Sequence, residues 1–232
     1  MKTPLPASWL CRVLETVLLP PVCSLCGLRA LGNGLDLCDI CVSCLPAAAP
    51  ATVPAAHFDR VLIPFVYTYP IDHFVRALKF RGERRYARVL GTLIAQSWAR
   101  SGAPLPRALI PMPLHLSRLR QRGFNQAHEL ARYAGALLGI PVMSGLLVRT
   151  RSTSEQSRLD LNRRRLNVLG AFGLRAAMPA QAHLALIDDV VTTGSTAAEA
   201  AICLRAGGAQ RVELWAAACA PRTKVQGIRS LG

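Results

Sequence analysis

The residues best suited to chemistry form one string, Leu186-Ile187-Asp188-Asp189-Val190-Val191-Thr192-Thr193-Gly194-Ser195-Thr196. Adjacent carboxylates repel unless something uses their acceptor capacity, as sugar hydroxyls or a hydrated cation would. The hydroxyl-rich turn that follows offers consecutive backbone amides, and Gly194 permits close backbone approach. With the positive end of a helix just beyond it, such a turn cradles a dianionic phosphate. Acid pair and phosphate cradle together spell a ribose 5-phosphate, its diol on the carboxylates and its phosphate on the loop. Taken singly, Thr196 reads as a helix N-cap and Asp188 as a strand-end turn residue.

A second cluster is made of sulfur. Five of the eight cysteines fall between Cys23 and Cys44. Cys23-Ser24-Leu25-Cys26 and Cys38-Asp39-Ile40-Cys41 are two CxxC knuckles, and two such turns build the tetrahedral sulfur cage that Zn²⁺ prefers. Cys41 and Cys44 also form a CxxC, so either pair could complete the site. Cys38 and Cys41 are favoured because Leu45-Pro46 reads as the exit of the module. Between the knuckles, Gly32-Asn33-Gly34 is a hairpin turn signal. Cys11, Cys203 and Cys219 stand alone in apolar surroundings and read as core packing.

The elements that must position these groups alternate. Arg60 to Tyr67 is strand-like, Ile71 to Phe80 and Tyr86 to Trp98 have helical periodicity, and Arg107 to Met112 is a short strand. A loop with Arg118, Arg120 and Arg122 leads to Asn125, an N-cap for a helix that Gly139 closes. Leu146 to Arg149 is a further strand, followed by a long polar segment. His183 to Ile187 is a continuous apolar run, as in a strand covered on both faces. It places the acid pair where α/β sheets bind ligands, at a strand's carboxyl end before a helix. Thr196 and Glu199 read as a capping box for the helix Thr196 to Arg205, and Arg211 to Ala217 is the next strand. The expected fold is α/β with a mostly parallel sheet flanked by helices and a small N-terminal zinc-binding module. The Ala/Pro-rich stretch 47–57 reads as a linker between 1–46 and a main domain over 58–220, with 221–232 as a tail.

Composition narrows the classes. The chain has 232 residues, 51% hydrophobic and 18% charged, which excludes wholesale disorder. No apolar run reaches the roughly 20 residues of a membrane span, so no membrane insertion is expected, and no export signal is evident, which with metal-arranged thiols points to the cytoplasm. The net charge of +15 is carried mostly by arginine, the lysines being Lys2, Lys79 and Lys224. Guanidinium groups suit anionic partners, although surplus arginine also sits solvated on surfaces.

The string Ile187 to Thr196 resembles the signature of type I phosphoribosyltransferases, which bind phosphoribosyl pyrophosphate (PRPP). The segments Tyr69-Pro70…Lys79-Phe80-Arg81-Gly82, Ile110-Pro111-Met112-Pro113-Leu114-His115, Arg122-Gly123-Phe124-Asn125-Gln126 and Asn167-Val168-Leu169-Gly170-Ala171-Phe172 are similar to the ComF (GntX-type) family. That family carries a zinc-ribbon-like N-terminus ahead of the transferase domain, and the resemblance runs from about Pro21 to Ala220. It implies that Asp188 and Asp189 hold the ribose hydroxyls and are central to catalysis. It further implies PRPP binding through Val190, Thr192, Thr193, Gly194, Ser195 and Thr196, with pyrophosphate near Pro113, Leu114, His115, Arg118 and Arg122. A mobile lid containing Arg151, Gln156 and Arg164 is implied as well. A solvated loop, with Arg158 and Arg163 pairing Glu155 and Asp160, is the alternative for that segment. The expected reaction is Mg²⁺-dependent displacement of pyrophosphate by an unidentified acceptor, as in nucleoside metabolism. The competing expectation is a non-catalytic PRPP-responsive or single-stranded-DNA-binding protein, since ComF relatives are associated with DNA uptake in competence. A PRPP synthetase fragment would explain neither the Arg122–Gln126 block nor the cysteines, and an oligomer stays open.

Overall fold

Nine residues, His183–Val191, make the central strand, apolar until the two acids near its end. The computed structural model describes residues 22–30, 35–49, 56–150, 170–178 and 182–221. In chain order the elements are α1 (Asp39–Ser43), β1 (Arg60–Leu62), β2 (Phe65–Val66), α2 (Ile71–Arg81), α3 (Arg85–Ala99), β3 (Ala108–Pro111), α4 (Leu116–Arg122), α5 (Gln126–Leu138), β4 (Leu147–Arg149), β5 (Phe172–Leu174), β6 (His183–Val191), α6 (Ser195–Ala206) and β7 (Arg211–Cys219). The chain divides into two compact units, Met1–Leu45 and Pro46–Gly232.

In the larger unit the sheet order is β1-β7-β6-β3, with β2 also on β7. Every pairing in it is parallel, which confirms the expected α/β architecture. The strand read as Arg60 to Tyr67 is interrupted at Ile63-Pro64, because proline has no N–H to give the ladder. The register on β7 does not slip across the break, Leu62 lying opposite Trp215 and Phe65 opposite Ala218. Pro46 O accepts from Val66 N (2.8 Å) and Ala48 N donates to Pro64 O (2.9 Å), so the start of the Ala/Pro stretch is hydrogen-bonded to this edge.

Helices cover both faces. On one, Trp98 of α3 packs against Trp215 of β7 with ring centroids 5.9 Å apart. The backbones of α3 and α5 come close there: a Cβ built at Gly91 would lie 2.7 Å from Leu130 O and 2.9 Å from Tyr133 Cβ. The other face buries Ala197, Ala200, Ala201 and Leu204 of α6 with Leu147 and Phe172 from the β4–β5 pair. That pair is antiparallel and separate from the main sheet. Burying these apolar side chains supplies the main stabilisation, at roughly 25 cal/mol per Å².

Two local readings are corrected. The segment with Arg118, Arg120 and Arg122 is helix α4, N-capped by the His115 side chain, which accepts from Ser117 N. The capping box at Thr196 and Glu199 does not form. Gly194, at φ 77°, is the N-cap of α6, and the Glu199 carboxylate accepts from Gly170 N at 2.7 Å instead. Asn125 does cap α5, accepting from the amides of Ala127 and His128. Among the described residues no helix is long and apolar enough to cross a membrane. The Gly32-Asn33-Gly34 turn, Cys11 and the lid residues Arg151, Gln156 and Arg164 lie outside the described residues.

Candidate functional site

Asp188 and Asp189 lie near the end of β6, two residues before the backbone turns toward α6. Alternation on a strand sends consecutive side chains to opposite faces, yet both carboxylates reach one cleft, of about 260 Å³, at the carboxyl end of the sheet. Each acid is tied locally: Asp188 Oδ1 accepts from Asp189 N (2.8 Å) and Asp189 Oδ1 from Val190 N (2.7 Å). The other oxygen of Asp189 meets Lys79 Nζ at 2.8 Å. Burial first, and the Asp189 charge second, push the Asp188 carboxyl up to about 7, against the opposing pull of Lys79. Burial and a neighbouring carboxylate both disfavour the charged form of Asp188.

The same cleft is walled by Pro113, Leu114, Arg118 and Arg122 from the β3–α4 region. Val190, Thr192, Gly194, Ser195 and Thr196 wall it from the turn after β6. Thr193 and His115 are not among its walls. Thr193 Oγ1 is instead 2.9 Å from Ser195 Oγ, bracing the turn, and His115 Nδ1 is 2.8 Å from Ser117 Oγ.

Sequence reasoning did not assign four other cleft residues, Lys79, Asn125, Gln126 and Arg149. Lys79 had one signal, a lone lysine in an otherwise arginine-based main domain. Asn125 was read as a cap, and it is also a strut: its Nδ2 donates to Met112 O at 3.0 Å, fixing the loop after β3. Gln126, only 2% exposed, accepts from Arg122 Nη1 at 3.1 Å. Burial, with Arg118 nearby, draws the Arg149 guanidinium below its ordinary value, Asp188 pulling the other way.

The rim carries aromatic–guanidinium stacks. Arg122 lies over Phe80, 5.7 Å to the ring centroid, and Arg84 over Phe124 at 5.1 Å. Phe80 is 74% exposed.

In the N-terminal unit the sulfurs of Cys23, Cys26, Cys38 and Cys41 all lie within 4.8 Å of one another. Tetrahedral Zn–S bonds of 2.3 Å require sulfurs about 3.8 Å apart, so the set can close on one ion; Cys26 and Cys38 are already at 3.6 Å. Cys44 is exposed and outside this group. Gly27, at φ 76°, turns the first knuckle, its amide donating to Cys23 O at 2.9 Å. Burial opposes ionisation of Cys23, yet amide hydrogen bonds from Cys26, Cys38 and Leu25 outweigh it and bring the thiol down to about 6. Burial and the neighbouring sulfurs drive Cys41 strongly upward. Such a donor set is matched to a thiophilic cation rather than to four free thiols.

The chain is 35% identical over 219 residues to DNA utilization protein YhgH of Salmonella typhi, covering 89% of this chain and 94% of that protein. Competence protein F of Haemophilus influenzae is 32% identical over 164 residues, covering 68% and 72%. The chain belongs to the ComF family. Competence protein ComFC of Bacillus subtilis is 30% identical over 141 residues, covering 60% of this ComF-family chain and 56% of that protein. No family model matches. Among solved structures, it resembles glutamine PRPP amidotransferase from B. subtilis (TM-score 0.37, 18% identity, 55% of this chain and 25% of that one). It also resembles adenine phosphoribosyltransferase from Leishmania donovani (TM-score 0.38, 13% identity, 65% and 75%). Both likenesses are partial.

Proposed function

We propose that the cleft binds PRPP and that this ComF-family chain is a type I phosphoribosyltransferase-like protein acting in the cytoplasm. One observation carries the reading. The acid pair, the turn residues Thr192, Gly194, Ser195 and Thr196, and two arginines, Arg118 and Arg122, wall a single cleft at the carboxyl end of a parallel sheet. Ribose hydroxyls and a 5-phosphate call for acceptors and an amide-rich turn side by side. A pyrophosphate calls for guanidinium groups a few ångströms away.

In this reading Asp188 and Asp189 hold the 2′- and 3′-hydroxyls, and the turn takes the 5-phosphate. Arg118 and Arg122 stabilise the charge that gathers on the departing pyrophosphate as the bond to C1 breaks. An acceptor of unidentified structure attacks C1, so the chain itself need supply no nucleophile. Magnesium, when bound with PRPP, would neutralise phosphate charge, and Asp188 and Asp189 are the acids positioned to hold it. The four cysteines would hold a structural zinc.

Calorimetry with Mg²⁺ and PRPP tests the proposal: micromolar binding that Asp189→Asn abolishes is expected, and no binding by the intact chain overturns it. Pyrophosphate release in the presence of candidate acceptors then separates an enzyme from a PRPP-responsive protein.

A second reading, contact with single-stranded DNA, is favoured by the rim. Phe80 with Arg122 and Phe124 with Arg84 offer the flat cationic and aromatic faces on which bases stack. The relatives' names, which refer to DNA utilization and competence, agree with it. Anisotropy with a labelled oligothymidylate tests it, and equal affinity for duplex of the same length would remove it. The two surfaces meet at Arg122, which walls the cleft and lies over Phe80, so PRPP and DNA would compete for that guanidinium.

A further inference from the structure

Two consecutive amide side chains begin α5, and their hydrogen-bonding accounts differ. Asn125 is satisfied at both ends, its oxygen by the amides of Ala127 and His128 and its nitrogen by Met112 O. Gln126 is satisfied only at its oxygen, by Arg122 Nη1. Its Nε2 is buried and has no hydrogen-bond partner among the described residues. The residue is 2% exposed and lines the cleft.

A buried donor without an acceptor forfeits its hydration with nothing in return. A leucine or methionine of similar volume would fill the space without that penalty. The donor is therefore accounted for if an acceptor arrives with the ligand. The surroundings define that acceptor. Arg122 is bonded to the same carboxamide, and Arg118 and Arg149 line the same cleft. An incoming atom in so positive a setting is an anionic oxygen. Gln126 Nε2 has almost no accessible surface, so the donation requires the carboxamide to turn into the cleft once Arg122 is drawn to the incoming oxygen.

We infer that Gln126 is a pyrophosphate-binding residue whose carboxamide nitrogen donates to a phosphate oxygen engaged by Arg122. This rests on the PRPP reading and adds to it a neutral donor that discriminates pyrophosphate from the sugar-phosphate end of the ligand. A carboxamide N–H adds one directed donor to the two of a bidentate guanidinium, and so a further constraint on where the oxygen sits.

The test titrates inorganic pyrophosphate, and separately ribose 5-phosphate, into the full-length protein and its Gln126→Leu and Gln126→Glu variants, with urea unfolding of each. Gln126→Leu is expected to weaken pyrophosphate binding about 10- to 100-fold, the range of a hydrogen bond to a charged group. Its ribose 5-phosphate affinity should be unchanged and its urea midpoint equal or higher, because a buried unsatisfied group has been removed. Gln126→Glu should bind pyrophosphate more weakly still. Pyrophosphate affinity within twofold of the parent in Gln126→Leu overturns the inference. So does an equal loss for both ligands, or a fall in urea midpoint that accounts for the loss. If the parent chain binds PRPP while Gln126→Leu binds pyrophosphate normally, only this inference fails. A parent chain that binds neither ligand removes the underlying reading with it.

Discussion

Lys79 Nζ stands 2.8 Å from Asp189 Oδ2, joining the last turn of α2 to the end of β6 inside the cleft. The carboxylate side chain is 9% exposed and the lysine 22%, so this pair is screened less than a surface bridge. Removing the cation leaves a nearly buried charge beside a second acid. Lys79→Met should destabilise the protein by about 1–3 kcal/mol, below the figure for a fully buried pair because the lysine keeps some solvent. Adding Asp189→Asn to it should restore most of the loss. Urea denaturation of the single and double variants measures both.

Asp188 makes stability pH-dependent. Its carboxyl, at about 7 in the folded protein, titrates near 3.9 when unfolded. Between those values the folded state binds more protons, so the ligand-free protein should lose stability as pH rises from about 4 to about 7 and level off above. The change from this residue is on the order of 2 kcal/mol after allowing for solvent in the open cleft. Thermal melts against pH should show the slope in the parent chain and a flatter profile in Asp188→Asn.

Metal content should follow the sulfur geometry. Cys44, outside the group of four, should tolerate Cys44→Ser with one zinc per chain retained, whereas Cys41→Ser should lose the metal. Elemental analysis of the purified proteins decides it. A chelator strong enough to strip the ion should lower the melting temperature of the parent, because ion binding and folding of such a unit are linked.

Phe80 gives the rim its most exposed ring. Phe80→Ala should weaken oligothymidylate binding by about 5- to 100-fold, the worth of one stacked base, and weaken PRPP binding much less, since Phe80 is not a wall of the cleft and touches it only through Arg122. Arg84→Ala should reduce the slope of log affinity against log salt by about 0.7. Anisotropy over a salt series reads both.

Much of this site was legible along the chain because its core is contiguous. Asp188 to Thr196 sit together whatever the tertiary structure does, and a fully apolar run before them identifies a covered strand. The cysteine knuckles were legible for the same reason, and three-dimensional proximity separates Cys38 and Cys41 from the overlapping pair with Cys44. What escaped depends on distant elements. Lys79 reaches Asp189 from α2, and periodicity says which face of a helix is apolar but not what a long side chain at its end will touch. Gln126 looked like the residue after a cap; only packing shows that its amide is half satisfied. Glu199 was drawn from a local capping partner to the Gly170 amide, a tertiary contact overriding a local rule. The turn into α4 was read as loop because its seven residues have no buried side chain to set a period.

Gly91 links the back of the molecule to this chemistry. Its missing side chain lets α3 rest directly on the backbone of α5 at Leu130, one turn beyond Asn125 and Gln126, which line the cleft. Hydrogen at that position acts as a spacer of minimum thickness. A methyl group there would lever α5 outward and shift Asn125 and Gln126 in the cleft wall, so a change remote from the cleft would still weaken the PRPP binding proposed for it.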